Sequence, residues 1–252
     1  MQYFGGKQRT AAKLAAFMRP YVEARGAYVE PFVGGAAMMA AQPASVRVGG
    51  DANAALVVMW EALANGWTPP TTVTKAEYDA ANRERCPDDP LTAFIGFGLS
   101  FAGKWFGGYA RGGERRNYAA NAASSLKKKL RGLAGVRWHA GDYRTCPLPP
   151  GAVIYCDPPY AGTTQYGAVA AFDWNVFWAW CLARHREGFA VFVSEYAAPP
   201  GFRVAYELPT RTDIRTKANG KEIRTERLFV PLDASYGQQL KQTPEEDWLG
   251  DD

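Results

Sequence analysis

Residues 157–160 read Asp-Pro-Pro-Tyr and follow directly on the apolar run Ala-Val-Ile-Tyr-Cys at 152–156. The run predicts a buried strand. Two prolines end it, because neither can donate to a β-ladder and each fixes its own φ. The result is a stiff turn that sets the Asp157 carboxylate, the proline carbonyls and the Tyr160 ring on one short arc. Hydrogen-bond acceptors beside an aromatic face are more than a plain turn requires.

A second stretch with chemical potential is Tyr-Val-Glu-Pro-Phe-Val-Gly-Gly-Ala-Ala-Met-Met at 28–39. A short strand, a glycine turn and a helix in this order place a ligand at the helix N-terminus beside the strand ends. Gly34 and Gly35 let the backbone approach that ligand closely. Asp51 ends the next strand-like run, about twenty residues on, where a carboxylate suits ribose hydroxyls. A dinucleotide and S-adenosylmethionine both carry a ribose, so the residues alone leave the cofactor class open. Asp51 also precedes a helical pattern and is a candidate N-cap.

The elements that must position these residues alternate. Helical patterns cover 8–19, 36–41, 53–65 with Gly66 as a stop, and 74–85. Strand-like runs occur at 27–30, 46–51, 136–142, 152–156, 190–196 and 203–208. Two further runs, 212–217 and 221–231, flank Ala218-Asn219-Gly220, a strong hairpin signal. The expected fold class is α/β: a doubly wound, Rossmann-like sheet with an antiparallel C-terminal hairpin, interrupted by a mainly helical insertion. The expected division is 1–65 with 138–232 as a discontinuous core, 66–137 as the insertion, and 233–252 as an acidic tail.

Composition sets the outer bounds. At 47% apolar and 21% charged residues, the 252-residue chain belongs with soluble globular proteins. No run reaches bilayer-spanning length, and the N-terminus lacks the apolar core of a signal peptide, so an intracellular, cytoplasmic setting is expected. Cys86, Cys146, Cys156 and Cys181 form no CxxC pair, and His139 and His185 are the only histidines, so neither a disulfide framework nor a metal site is expected. The tail 233–252 holds six acids and one lysine, which leaves 28 basic against 19 acidic residues in the body. Within the body, 104–137 carries nine basic residues and one acid, interleaved with Trp105, Phe106, Tyr109 and Tyr118. Such a segment suits a surface that tracks phosphates, although a solvated helix face explains Lys127, Lys128 and Lys129 equally well.

Together, "YFGGK" at 3–7, "EPFVGG" at 30–35, "GGDANAAL" at 49–56 and "CDPPY" at 156–160 resemble the Dam-like DNA adenine N6-methyltransferases. The likeness runs over nearly the whole chain up to Pro231. It implies S-adenosylmethionine as cofactor, no metal, double-stranded DNA as partner, and a prokaryotic or phage setting; no membrane contact and a monomer are expected, with the oligomeric state left open. By the same likeness Tyr3 and Lys7 help hold the cofactor, and Glu30, Phe32, Gly34 and Gly35 form its loop. Asp51 binds its ribose, and Asp142 and Tyr143 border its adenine. The sequence departs from the family's Phe-x-Gly-x-Gly pattern at Ala36, which adds a methyl to that loop.

The family also implies a use for the turn. The exocyclic nitrogen of adenine delocalises its lone pair into the ring and is a poor nucleophile. Acceptors at its two protons, the Asp157 carboxylate and the Pro158 carbonyl, oppose that delocalisation, while Pro159 stiffens the turn and Tyr160 stacks on a base that has left the duplex. Asp157 also borders the cofactor. DNA contacts are expected from Lys104, Trp105, Arg111, Arg115, Arg116 and Asn117 in the insertion, and from Arg215, Lys217 and Lys221 in the hairpin. Other readings stay open: methylation of cytosine N4, of an RNA base or of a protein glutamine, and a noncatalytic module that keeps the fold.

Overall fold

The structure, a computed structural model, describes residues 3, 6–8, 10–110, 117–159, 172–215 and 221–237. Five parallel strands, β1 (Ala27–Glu30), β2 (Val46–Asp51), β3 (Arg137–Ala140), β4 (Val153–Cys156) and β5 (Ala190–Glu195), lie in the order β3-β2-β1-β4-β5. Beyond β5 come β7 (Lys221–Pro231) and, at the edge, β6 (Phe202–Arg215), both antiparallel additions that complete a seven-stranded mixed sheet. The chain leaves β1 toward β2 and returns on the other side as β4. The topological switch point of this α/β sheet, where ligands bind in such folds, therefore lies between β1 and β4. The arrangement is compatible with a Rossmann-like fold.

Continuous burial along β4 and β5 reflects cover on both faces of the sheet. Alternate residues separate cleanly. Tyr28, Val153, Tyr155, Ala190, Phe192, Leu228 and Val230 join one apolar cluster, with helices α1 (Ala11–Arg25), α2 (Ala37–Ala41) and α3 (Ala54–Ala64). Val29, Ile154, Cys156, Val191, Val193 and Phe229 join the other, against Phe177, Trp178 and Cys181 of a helix at Trp174–Arg186.

The region expected as an insertion contributes α4 (Lys75–Glu84), α5 (Pro90–Gly98) and α6 (Tyr118–Leu130), which makes the helix at 174–186 α7. Helix α5 packs on α3, and α6 packs on α2 and α5, so Phe94 and Leu126 share the cluster that holds Leu14 and Trp60. No helix among the described residues is long and apolar enough to cross a membrane.

Three local expectations need correction. The first helix does not stop before Pro20 but continues to Arg25 and ends at Gly26, whose φ of +68° is left-handed. Pro20 lies on the exposed side while Leu14, Met18 and Val22 are buried, so packing holds the turn that proline weakens. Run 203–208 and residues 212–215 of the run 212–217 belong to a single strand, β6, which crosses Pro209; an edge strand tolerates a missing N–H, and 216–217 lie outside the described residues. Helices α5 and α7 lie in stretches given no helical assignment from sequence. Each is signalled by an aspartate cap, Asp89 and Asp173.

Candidate functional site at the carboxyl ends of the strands

Three carboxylates stand where parallel strands end. Glu30 is the last residue of β1, Asp51 the last of β2, and Asp157 follows β4. Together they flank the switch point.

Glu30 is only 3% exposed. Burial, and then the charge of Asp157, push its carboxyl well above the usual carboxylate range, opposed by the Met39 N–H and by Lys129 and Lys7. Its Oε2 has no hydrogen-bond partner among the described residues. A buried acceptor in that condition costs roughly 1–3 kcal/mol unless a ligand supplies a donor.

Asp51 fastens the glycine turn to β2. Its Oδ2 accepts from the Gly34 N–H at 3.0 Å and its Oδ1 from the Asn53 N–H at 2.9 Å. Burial pushes its carboxyl up to about 6 against those two bonds. The N-cap of α3 is Asn53, whose side chain accepts from the Leu56 N–H at 3.2 Å, so capping falls to Asn53 and not to Asp51.

The glycine turn itself is gripped from several sides. Trp60 Nε1 donates to the Gly34 carbonyl at 3.0 Å. The Tyr3 ring lies 2.8 Å from where a Cβ on Gly34 would sit and packs on Phe97 with ring centres 4.7 Å apart. Gly34 has φ +43°, so both its backbone and its surroundings require glycine. Lys129 Nζ, reaching in from α6, donates to the Gly35 carbonyl and lies over the Trp60 ring. Burial lowers its ammonium to about 8, against the pull of Glu30. The charged run therefore divides: Lys127 and Lys128 are exposed and Lys129 turns inward. Ala36 adopts φ +52°, left-handed for a residue with a Cβ, and its methyl is fully buried.

The Asp-Pro-Pro turn is tied to the N-terminal segment. Lys7 Nζ lies 2.6 Å from Asp157 Oδ1 and 3.3 Å from Glu226 Oε1 on β7. Burial works against the Lys7 ammonium, but Asp157, Tyr155 and Glu226 outweigh it and hold the group above an ordinary lysine. Pro158 is buried and Pro159 exposed. Tyr160 lies outside the described residues, as do Arg111, Arg115, Arg116 and Lys217.

The remaining candidates are dispersed. Phe32 and Tyr143 stack with ring centres 5.3 Å apart inside the α7-side cluster, where both also meet Phe177. Asp142 is exposed and pairs with Arg144 at 2.7 Å, which holds its carboxyl below the usual range. The aromatics of the basic segment mostly face inward. Trp105 covers Gly96 and lies against Phe97, Phe106 is buried, and the Tyr109 hydroxyl donates to the Val73 carbonyl. Phe101, just before the segment, is 70% exposed. Lys104 is half-buried. Asn117 caps α6 through Ala120 and donates to the Thr71 carbonyl. Arg215 and Lys221 are register partners at the end of β6 and the start of β7.

Two residues of this site were not legible as such. Lys129 follows Ala119, Ala122 and Leu126 at helical spacing, a periodicity that marks it as inward-facing. Glu226 alternates with buried Leu228 and Val230, which places it on the same inner face. No protein-family model matches the chain, and no curated protein matches it.

Proposed function

We propose that the chain is a site-specific DNA methyltransferase that moves a methyl group from S-adenosylmethionine to the N6 amino group of an adenine flipped out of duplex DNA. In this reading the sheet is the cofactor-binding fold, and the helical segment 66–137 serves target recognition.

The observation that carries the reading is the Lys7–Asp157 pair on an Asp-Pro-Pro turn beside the switch point. The chain's residues fit the cofactor by a feature of the site beyond the motif match itself. Glu30 Oε2, buried and without a donor at the end of β1, suits an ammonium such as the one a methionine moiety carries. Gly34 and Gly35 would lie against the cofactor, and Asp51 would meet its ribose hydroxyls. When bound, S-adenosylmethionine supplies an electrophilic methyl on a sulfonium.

Everything else is the work of side chains and backbone. The Asp157 carboxylate and the Pro158 carbonyl accept the two amino protons of adenine, fixing the nitrogen with its lone pair free. Buried Pro158 and the Lys7 contact keep that acceptor pair from turning away. No covalent enzyme intermediate is needed. Exposed Lys127, Lys128 and Arg131 on and after α6 supply charge for a phosphate backbone.

The substrate class is tested by offering tritiated-methyl S-adenosylmethionine together with unmethylated duplex DNA, RNA or a glutamine peptide. Label is expected in the duplex. Label in RNA or peptide alone contradicts the reading.

A further inference from the structure

Besides Tyr28 and Glu30 of β1, the face of the sheet that packs against α1 carries one connected polar row. On three neighbouring strands, Tyr155 of β4, Ser194 of β5 and Glu226 of β7 form a diagonal row, with Tyr155 level with Phe192 and Ser194 level with Leu228. The hydroxyls of Tyr155 and Ser194 are 2.8 Å apart, and Ser194 Oγ donates to Glu226 Oε1 at 3.4 Å. Lys7 closes the row, 3.3 Å from Glu226 and 2.6 Å from Asp157. Tyr155 and Ser194 are fully buried, and Glu226 is 7% exposed.

A carboxylate at this depth is a poor choice for stability alone, because replacing a buried ion pair by apolar side chains is often neutral or stabilising. What the row supplies is a fixed place and a fixed charge for Lys7. With Asp157 as its one anionic neighbour, the ammonium would neutralise that carboxylate and weaken it as an acceptor. With Glu226 also present, one positive charge serves two negative ones.

We infer that Glu226 is a positioning residue for Asp157, acting through Lys7, an inference that rests on the methyl-transfer reading of this site. Glu226 draws the Lys7 ammonium partly away from Asp157 and leaves the turn with a net negative charge. Asp157 therefore remains a strong acceptor for the amino group of the target base. Ser194 holds Glu226 in register and is in turn held by Tyr155.

The test combines kinetics with a measurement on Lys7 itself. In Glu226→Gln, kcat is expected to fall about tenfold, the difference between a charge-assisted and a weakened hydrogen bond, with KM for cofactor and DNA unchanged. Glu226→Asp restores part of the loss, and Ser194→Ala reproduces a smaller loss. In a Lys7→Met background, Glu226→Gln has no further effect on kcat. By nuclear magnetic resonance at neutral pH, the Lys7 ammonium resonance of Glu226→Gln is displaced from that of the wild type, because the group loses one of its two carboxylate partners. A wild type that transfers methyl groups while Glu226→Gln keeps full kcat overturns the inference and spares the functional reading. So does an undiminished effect of Glu226→Gln in the Lys7→Met background. If Glu226→Gln does not fold, Ser194→Ala with unchanged kcat and an unchanged Lys7 ammonium resonance overturns it equally. A wild type that transfers no methyl group overturns the functional reading, and with it the role given to Asp157.

Discussion

Lys7 and Asp157 are 150 residues apart in the chain and 2.6 Å apart in space. The contact joins the segment before α1 to the turn after β4, and both groups are largely buried. Breaking a buried pair leaves an uncompensated charge, here beside a second carboxylate on Glu226. Lys7→Met, similar in shape and without charge, is expected to destabilise the fold by roughly 3–5 kcal/mol. Methyl transfer is expected to fall about a hundredfold as the acceptor pair loses its position. Urea unfolding and single-turnover kinetics measure the two effects; a variant as stable as wild type would show that the pair is not closed in solution.

Asp51 gives a pH dependence. Burial raises its carboxyl to about 6, and donors from ribose hydroxyls favour the ionised form. On the proposed reading, cofactor is therefore expected to bind most tightly above that value. As pH falls below it, binding has to expel a proton first, so affinity drops about tenfold per pH unit. Calorimetric titration of S-adenosylhomocysteine between pH 5 and 8 checks this, and a flat profile would remove Asp51 from the cofactor site.

Ala36 sets two terms against each other. Its left-handed backbone costs about 1 kcal/mol relative to glycine, and its buried methyl contributes a similar amount in the other direction. Ala36→Gly is therefore expected to change stability by less than about 1 kcal/mol. Ala36→Val adds bulk and β-branching to the same strained, filled position and is expected to lose more than about 2 kcal/mol. Thermal melts of the two variants distinguish this balance from a simple dependence on side-chain size.

The lysine run 127–129 separates by role. Lys129 holds the Gly35 carbonyl, so Lys129→Met is expected to weaken cofactor binding about fivefold, the loss of one hydrogen bond of about 1 kcal/mol. Lys127→Ala and Lys128→Ala should leave cofactor binding intact. Each instead lowers DNA affinity evenly across sequences and reduces the salt slope by about one. Equal behaviour of all three variants would reject the division.

Much of the sheet was legible because its strands are short apolar runs with clear stops, such as Ala152–Cys156 before two prolines and Val46–Asp51 before the Asn53 cap. Asp51 and the glycine turn were legible as neighbours for the same reason. Glu226 was not, since in Lys221–Pro231 it sits among charges that read as a solvated hairpin. Only the pairing of β7 with β5 and β6 turns it inward. Trp105 and Tyr109 read as exposed aromatics until Gly96 of α5 made room for one and the Val73 carbonyl took the hydroxyl of the other. Local pattern specifies strands and caps, whereas the inward turn of a charged or aromatic residue depends on a neighbour distant in sequence.

The central claim is that the Asp157 turn presents acceptors to the amino group of adenine. Its most direct test is nucleoside mass spectrometry of unmethylated duplex DNA after incubation with S-adenosylmethionine and either the wild type or Asp157→Asn. The account predicts N6-methyladenine with the wild type and a loss of at least about a hundredfold with the variant. N4-methylcytosine in its place, or undiminished N6-methyladenine from Asp157→Asn, would contradict it.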